Sequence, residues 1–145
     1  MNINCGGFNV TGSSNNSITS NEISANVMTS RVVGGHVHGG FGIRLREGSN
    51  GNTVSGNTLN GNSTGFMAHN SSNNRIHGNT VKDSQEVGFR ISGSSINNAV
   101  ESNTASDNRF FDLFESQPGC GSNTWKSNTF GTRNRSCIQS KAPKP

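Results

Sequence analysis

Residues 65–81 read GFMAHNSSNNRIHGNTV, and residues 88–105 read GFRISGSSINNAVESNTA. Further copies of this pattern occupy residues 7–23, 42–59 and, in variant form, 119–130. One column of equivalent residues is spaced by 36, 22, 24 and 25 positions and consists of Asn21, Asn57, Asn79, Asn103 and Asn128. A second column is spaced by 35, 23, 23 and 22 positions and consists of Phe8, Ile43, Phe66, Phe89 and Phe111. Because the two columns agree, the chain contains about five repeats of 22–25 residues.

Each copy shows short apolar–polar alternations separated by Asn, Gly and Ser, which predicts very short strands joined by turns. Nothing in the pattern favours an amphipathic helix. A unit of three short strands cannot close its own core, so we expect the copies to stack in register as parallel sheets, with strands ~4.8 Å apart. The predicted inward columns are Ile18, Val54, Ile76, Val100 and Trp125; Ile23, Leu59, Val81, Ala105 and Phe130; and the Phe8 column beside Val10, Leu45, Ala68, Ile91 and Leu113.

The composition alone would suggest disorder, because the 145 residues include 23 Asn, 22 Ser and 19 Gly and only 28% are hydrophobic. The periodic placement of the apolar residues decides for a repeat fold instead. No apolar run approaches the roughly 20 residues that a membrane-spanning helix needs. The net charge is only +4 and the basic residues are dilute, so nucleic acid is not favoured as a partner.

The asparagine column is predicted to lie at a turn. There each side-chain amide can donate to, and accept from, the coils on either side. Asparagine also tolerates the left-handed turn conformation at low cost. We therefore interpret Asn21, Asn57, Asn79, Asn103 and Asn128 as a structural ladder that carries no chemistry.

The pattern G-[FI]-x-[IVAL]…S-S-N-N-x-[IV]-x-[GS]-N-[TE]-x resembles the repeats of the NosD and pectate-lyase-like superfamily over residues 7–138. The resemblance implies an all-β fold, a right-handed parallel β-helix, with residues 119–138 similar to the closing coil of bacterial members. The superfamily includes polysaccharide lyases, hydrolases, C5-epimerases, phage tailspikes and copper-related NosD proteins. The fold therefore does not select an activity.

The chain is expected to form one domain over residues 1–138, followed by a disordered tail at 139–145. Residues 27–41 lengthen the first repeat and contain the run GGHVHGG, Gly34 to Gly40. This insert is either a functional loop at the rim of a binding face, a glycine-rich excursion, or a lateral strand over the core. No capping segment precedes Phe8, so we expect another chain to cover this end, or the sequence to be the C-terminal part of a longer exported protein. Self-association through the uncapped first coil is the related expectation.

Two cysteines, Cys120 and Cys137, flank the last coil, and a disulfide between them would staple it. Such a bond implies an oxidising compartment, extracellular or periplasmic, although MNINCGGF contains no secretion signal. Cys5 is left over, either free or paired with upstream residues.

The outward residues predict a mildly basic stripe on one sheet. One outward column runs through Asn9, Arg44, Met67, Arg90 and Asp112, and Arg46 and His69 occupy similar positions after the strand. Arginines two coils apart are separated by ~10 Å, close to the repeat of a disaccharide. The stripe would suit an acidic polysaccharide. The alternative is that exposed arginines only keep the sheet soluble.

No catalytic residue is predicted. Lyases and epimerases of this fold need a base, a group that neutralises a carboxylate, and often Ca²⁺ held by clustered acids. Here the 8 acids are dispersed, Tyr is absent, and the DPHD motif of alginate epimerases is missing. Whether the chain is an enzyme stays open at this point.

The histidines raise the question of metal binding. His36 and His38 alternate in the glycine-rich insert, and Met67, His69 and His77 share one repeat; imidazole and thioether suit copper. Histidines scattered over the surface are the simpler explanation, so we expect no cofactor; if a metal does bind, Ca²⁺ and copper are the candidates.

A column of threonines raises the possibility of ice binding. It consists of Thr58, Thr80, Thr104 and Thr129. The residues beside it do not form the flat Thr-x-Thr face that ice binding requires.

Together these observations favour a non-catalytic β-helix module that binds polysaccharide or assembles with other coils. The alternatives are a remnant of a polysaccharide lyase or C5-epimerase, and a NosD-like periplasmic copper-related protein.

Overall fold

Short strands follow one another around each repeat, and tight bends separate them. A computed structural model describes residues 6–27 and 40–140. The strands are β1 Gly6–Thr11, β2 Ser17–Thr19, β3 Glu22–Ser24, β4 Phe41–Arg46, β5 Thr53–Ser55, β6 Thr58–Asn60, β7 Thr64–His69, β8 Arg75–His77, β9 Thr80–Lys82, β10 Val87–Ser92, β11 Ala99–Glu101, β12 Thr104–Ser106, β13 Phe111–Glu115 and β14 Thr124–Lys126. A 3-10 turn covers Pro118–Cys120.

The strands form three parallel sheets. Sheet A has the order β1-β4-β7-β10-β13, sheet B has β2-β5-β8-β11-β14, and sheet C has β3-β6-β9-β12. Every third strand therefore pairs with its equivalent in the next repeat, as a solenoid requires. Coils one to four contain three strands each, β1–β3, β4–β6, β7–β9 and β10–β12, and the fifth contains β13 and β14. The predicted parallel solenoid is confirmed, and the predicted count of about five coils is close.

The inward columns of sheets B and C agree with the prediction. In sheet B, Ile18, Val54, Ile76, Val100 and Trp125 are in register and buried. In sheet C, Ile23, Leu59, Val81 and Ala105 are in register and buried, and Phe130 packs partly buried against the same core. The narrow core runs along the axis between the three sheets, which explains how a chain of low hydrophobic content can fold.

In sheet A the prediction is correct for four coils and wrong for the fifth. Phe89 pairs with Leu113, not with Phe111. The neighbouring column ends at Glu115, which pairs with Ile91. The fifth coil is thus shifted by two residues relative to the alignment that matched one phenylalanine to another.

The second residue of each of the first four strands of sheet A is a glycine, and the fifth strand differs there; this glycine column consists of Gly7, Gly42, Gly65 and Gly88. A Cβ atom on Gly88 would lie 2.5 Å from the carbonyl oxygen of Asp112 in the next coil, so only glycine fits there. Asp112 occupies the equivalent register position of the last strand. Residues 131–132, rather than another full strand, meet its side chain, so a larger residue is accommodated.

The predicted asparagine ladder is confirmed. The backbone N–H of Asn57 donates to Oδ1 of Asn79 (3.0 Å), and its Nδ2 donates to the same oxygen (2.9 Å). Nδ2 of Asn57 also donates to the carbonyl oxygen of Ile18 in the preceding coil (2.9 Å). The same arrangement links Asn21 to Asn57, Asn79 to Asn103 and Asn103 to Asn128.

The ladder asparagines do not themselves adopt the left-handed conformation, contrary to expectation. The residue immediately before each of them does, with φ between 53° and 64°; these residues are Ser20, Gly56, Gly78, Ser102 and Ser127. The chain bends from sheet B to sheet C at that preceding residue. Both amide groups of the asparagine then point along the axis toward the next coil.

Two further corners carry ladders that the sequence interpretation did not identify. The corner between sheets A and B has an unbroken one through all five coils, made of Asn16, Asn52, Asn74, Asn98 and Asn123. The corner between sheets C and A has a partial one, in which Asn26 donates to Asn62 and Ser84 donates to Asn108. All three corners of the solenoid therefore use buried side-chain amides as axial connectors.

The last coil is closed by several independent contacts. Cys120 and Cys137 form the expected disulfide, with Cα atoms 5.9 Å apart, and Ile138 is fully buried at the end of the core. Oε2 of Glu115 accepts hydrogen bonds from Nε1 of Trp125 and Nδ2 of Asn123, both at 3.1 Å. A buried carboxylate thus occupies the end of an otherwise apolar column and satisfies donors of the closing coil.

Candidate ligand-binding face

The outer face of sheet A brings the predicted stripe together in two parallel rows. Side chains alternate along each strand, so residues two apart face outward together. The outer row, in register from coil one to coil five, is Asn9, Arg44, Met67, Arg90 and Phe114. The second row, in register over coils one to four, is Thr11, Arg46, His69 and Ser92.

The two arginines of the outer row are each held over an aromatic ring. The guanidinium carbon of Arg44 lies 4.5 Å from the ring centroid of Phe41, and that of Arg90 lies 5.0 Å from the ring centroid of Phe114. Nε of Arg44 also donates to Oδ1 of Asn9 at 3.0 Å. Such cation–π contacts restrict a long side chain without removing its charge.

The face carries more positive than negative charge. Nε of Arg46 lies 3.9 Å from Oε1 of Glu47, which is the only ion pair within residues 6–27 and 40–140. Partial burial, and secondarily the charge of Arg46, lowers the pKa of Arg44 below its ordinary value. The guanidinium groups of Arg44 and Arg46 repel each other on the same coil, and an anion bound beside them would offset this repulsion.

The comparison with family models identifies a right-handed β-helix region over residues 2–137. This match spans nearly the whole chain and agrees with the parallel three-sheet solenoid. The chain belongs to the right-handed β-helix family. A search of curated proteins finds no match, and neither does a search of solved structures.

In this right-handed β-helix, Asp112 does not belong to the stripe, so that part of the prediction is wrong. The outer-row position of the fifth coil is Phe114, which pairs with Arg90. Asp112 is buried one position from the start of β13, in line with the glycine column. The error follows from the two-residue shift described above.

The carboxylate of Asp112 instead fastens the end of the β-helix. Its Oδ1 accepts from the backbone N–H (3.3 Å) and Nδ2 (2.8 Å) of Asn108, and its Oδ2 accepts from the backbone N–H groups of Gly131 (2.8 Å) and Thr132 (3.0 Å). Four donors converge on one buried side chain.

Of the metal candidates, His36 and His38 lie outside the described residues, as does most of the glycine-rich insert and Cys5. Met67 and His69 both face outward from β7, whereas His77 lies on β8 in a different sheet. Within the part of the chain that the structure covers, no group of three or more His, Cys, Asp or Glu residues could hold a metal ion.

The threonine column is present on the outside of sheet C, where Thr58, Thr80 and Thr104 are in register and exposed. Its neighbouring row contains Asn60, Lys82 and Ser106, as the sequence indicates. No helix in the described ranges is both long enough and apolar enough to span a bilayer.

The repeat pattern does not indicate the aromatic partners of the two arginines. Phe114 could have been found by counting from the corner, because Phe89 follows Ser84 by five residues and Leu113 follows Asn108 by five. Ser84 and Asn108 are equivalent corner residues, joined by a hydrogen bond of 2.9 Å from the backbone N–H of Ser84. Phe41 precedes the first glycine of its strand and carries no signal that predicts its contact with Arg44.

Proposed function

We propose that this β-helix is a non-catalytic module of an exported protein, and that it binds an acidic polysaccharide along the outer face of sheet A. The observation that carries the proposal is the register of Arg44 and Arg90, which face outward in the same row two coils apart. The disulfide between Cys120 and Cys137 is compatible with an extracellular or periplasmic location.

The two arginines are available to a ligand because no carboxylate of the described residues forms an ion pair with either of them. Their contacts with Phe41 and Phe114 leave the charge uncompensated while limiting the conformations of the side chains. A ligand then orders fewer rotamers on binding, which lowers the entropic cost of association.

A linear polymer fits this face better than a compact ligand. The rows run along the solenoid axis with a rise of ~4.8 Å per coil, and the face is a ladder rather than a cleft. Sugars of an extended chain can therefore meet successive coils, with anionic groups at the guanidinium groups of Arg44 and Arg90.

The test is binding to immobilised polygalacturonate and hyaluronan, with neutral dextran as the polymer control. We expect the double variant Arg44→Gln/Arg90→Gln to bind the acidic polymers about tenfold more weakly, the size expected for two exposed ion pairs. The matched control is Arg75→Gln/Lys126→Gln on sheet B, which removes the same charge from exposed strand positions. Equal losses in both variants would mean that net charge, and not this face, is responsible.

Assembly with other coils is a second candidate, supported by Phe8. This residue pairs with Ile43 and so occupies an inward position, yet 41% of its surface is exposed in the first coil. A coil from a second molecule would cover it and pair with the edge of β1 that meets no other strand of the described residues.

The lyase or epimerase alternative and the copper alternative draw less support. Asp112 and Glu115, the two buried acids of the described residues, already accept hydrogen bonds from the closing coil. Met67 and His69 offer a thioether and an imidazole on one strand, and no third such ligand stands in register with them on β4 or β10.

A further inference from the structure

The charge along the outer row alternates from coil to coil. Arg44 in coil two and Arg90 in coil four are both in register with Met67 in coil three. The outer row therefore presents a cation, an uncharged thioether and a cation at successive steps of ~4.8 Å. Two coils, or ~9.6 Å, separate the arginines, which is close to the advance of one disaccharide in an extended polysaccharide.

The second row adds no lysine or arginine at coil three. Arg46 lies beside Arg44 on coil two, whereas Ser92 lies beside Arg90 on coil four. Between them, Nδ1 of His69 is 3.0 Å from Oγ of Ser92, so the imidazole is engaged with its neighbour in the row. Coil three thus contributes no lysine or arginine to either row.

Resting on the proposed function, we infer that the ligand is a linear polysaccharide whose anionic groups lie on alternate sugars. In such a polymer each anionic sugar meets Arg44 or Arg90, and the neutral sugar between them packs over Met67. The unbranched thioether adapts to an irregular apolar surface such as a sugar face. A polymer with a carboxylate on every sugar would instead place one charge against Met67, where it loses water and gains no partner.

The inference predicts the opposite order of affinity for two polymers from the order that their charge densities alone would give. Hyaluronan carries one carboxylate per disaccharide, and polygalacturonate carries one per sugar. Non-specific attraction to a basic face favours polygalacturonate. Alternating recognition favours hyaluronan, by about three- to fivefold, the contribution of one exposed ion pair. The comparison is made by isothermal titration calorimetry with oligosaccharides of equal length, at one pH and one ionic strength.

The variant Met67→Arg tests the period directly, because it makes the outer row cationic at three successive coils. Met67 is a half-buried outward residue, so the change leaves the core intact. We expect binding to polygalacturonate to strengthen about three- to fivefold, with no matching gain for hyaluronan, whose neutral sugar loses its packing on the thioether. The matched control, Thr80→Arg, adds the same charge to an exposed position on sheet C and is expected to leave the ratio of the two affinities unchanged.

The outcomes separate this inference from the proposal on which it rests. If neither polymer binds, both are overturned. If both bind but polygalacturonate binds more tightly, and Met67→Arg shifts the ratio no more than Thr80→Arg does, the face binds acidic glycans without the alternating period. If hyaluronan binds more tightly than polygalacturonate, and Met67→Arg reduces or reverses this preference, the inference is supported.

Discussion

An asparagine in the middle of a ladder satisfies hydrogen-bonding groups on three coils at once. Nδ2 of Asn79 donates to Oδ1 of Asn103 (3.0 Å) and to the carbonyl oxygens of Val54 (2.9 Å) and His77 (3.2 Å). Its Oδ1 accepts from both amide groups of Asn57. Asn57, Asn79 and Asn103 are all buried, so water cannot replace the hydrogen bonds between their amide groups.

We expect Asn79→Ala to lower the free energy of unfolding by about 2 kcal/mol, because each buried group left unpaired costs ~1–3 kcal/mol and neighbouring groups relax in part. Chemical denaturation followed by circular dichroism measures the change. Asn60→Ala is the control, since Asn60 lies exposed on the outside of β6, and it should shift stability by less than ~0.5 kcal/mol. Similar midpoints for the two variants would remove the ladder from the account of stability.

At the scale of the element, the closing coil combines a covalent bond with hydrogen bonds that occupy the edge of β13. Oδ1 and Nδ2 of Asn134 pair with the backbone N–H and carbonyl of Glu115, each at 2.9 Å. The backbone N–H of Leu113 donates to the carbonyl oxygen of Thr132 (3.2 Å). A side chain thereby completes the ladder at β13, the last strand of sheet A in the part of the chain that the structure describes, and protects this edge from pairing with another chain.

Replacing both cysteines, Cys120→Ala/Cys137→Ala, is expected to lower stability by about 3 kcal/mol, since the bond closes a loop of 17 residues. The loss should be local, with faster amide exchange in residues 128–138 and unchanged exchange in coils two and three. Trp125, the single tryptophan, reports the same opening by fluorescence through its bond to Glu115. Uniformly faster exchange along the whole solenoid would contradict a closing role for the disulfide.

A comparison of the regular coils with the closing coil shows what the sequence could and could not predict. The period of Asn and of inward apolar residues was sufficient for the parallel solenoid and for the sheet B and C columns, because equivalent residues must stack in register. The period failed to predict the register of β13, because this last strand of sheet A is not covered by another full strand. Asp112 therefore replaces the glycine there, and Glu115 replaces an aliphatic residue. The stripe was predicted up to Arg90, whereas the Arg–Phe contacts depend on side-chain geometry that no periodicity encodes.

At the scale of the whole molecule, the two ends of the solenoid differ. The closing end is fastened by the disulfide, by Asp112 and by Asn134. At the other end, Phe8 stands at an inward position and is 41% exposed, and β1 pairs only with β4 among the described residues. An exposed strand edge beside an apolar side chain is the usual starting point for pairing between chains.

If the first coil is an association surface, sedimentation velocity across a concentration series should show the chain shifting from monomer to a larger species. Phe8→Thr keeps a residue suited to strands but removes the ring, so it should raise the dissociation constant by about tenfold or more, as expected for the loss of a buried aromatic contact. Phe110→Thr removes a ring that is 57% exposed elsewhere on the molecule and should leave association unchanged. Equal weakening by both variants would indicate non-specific apolar contact, and a monomer at every concentration would rule out self-association.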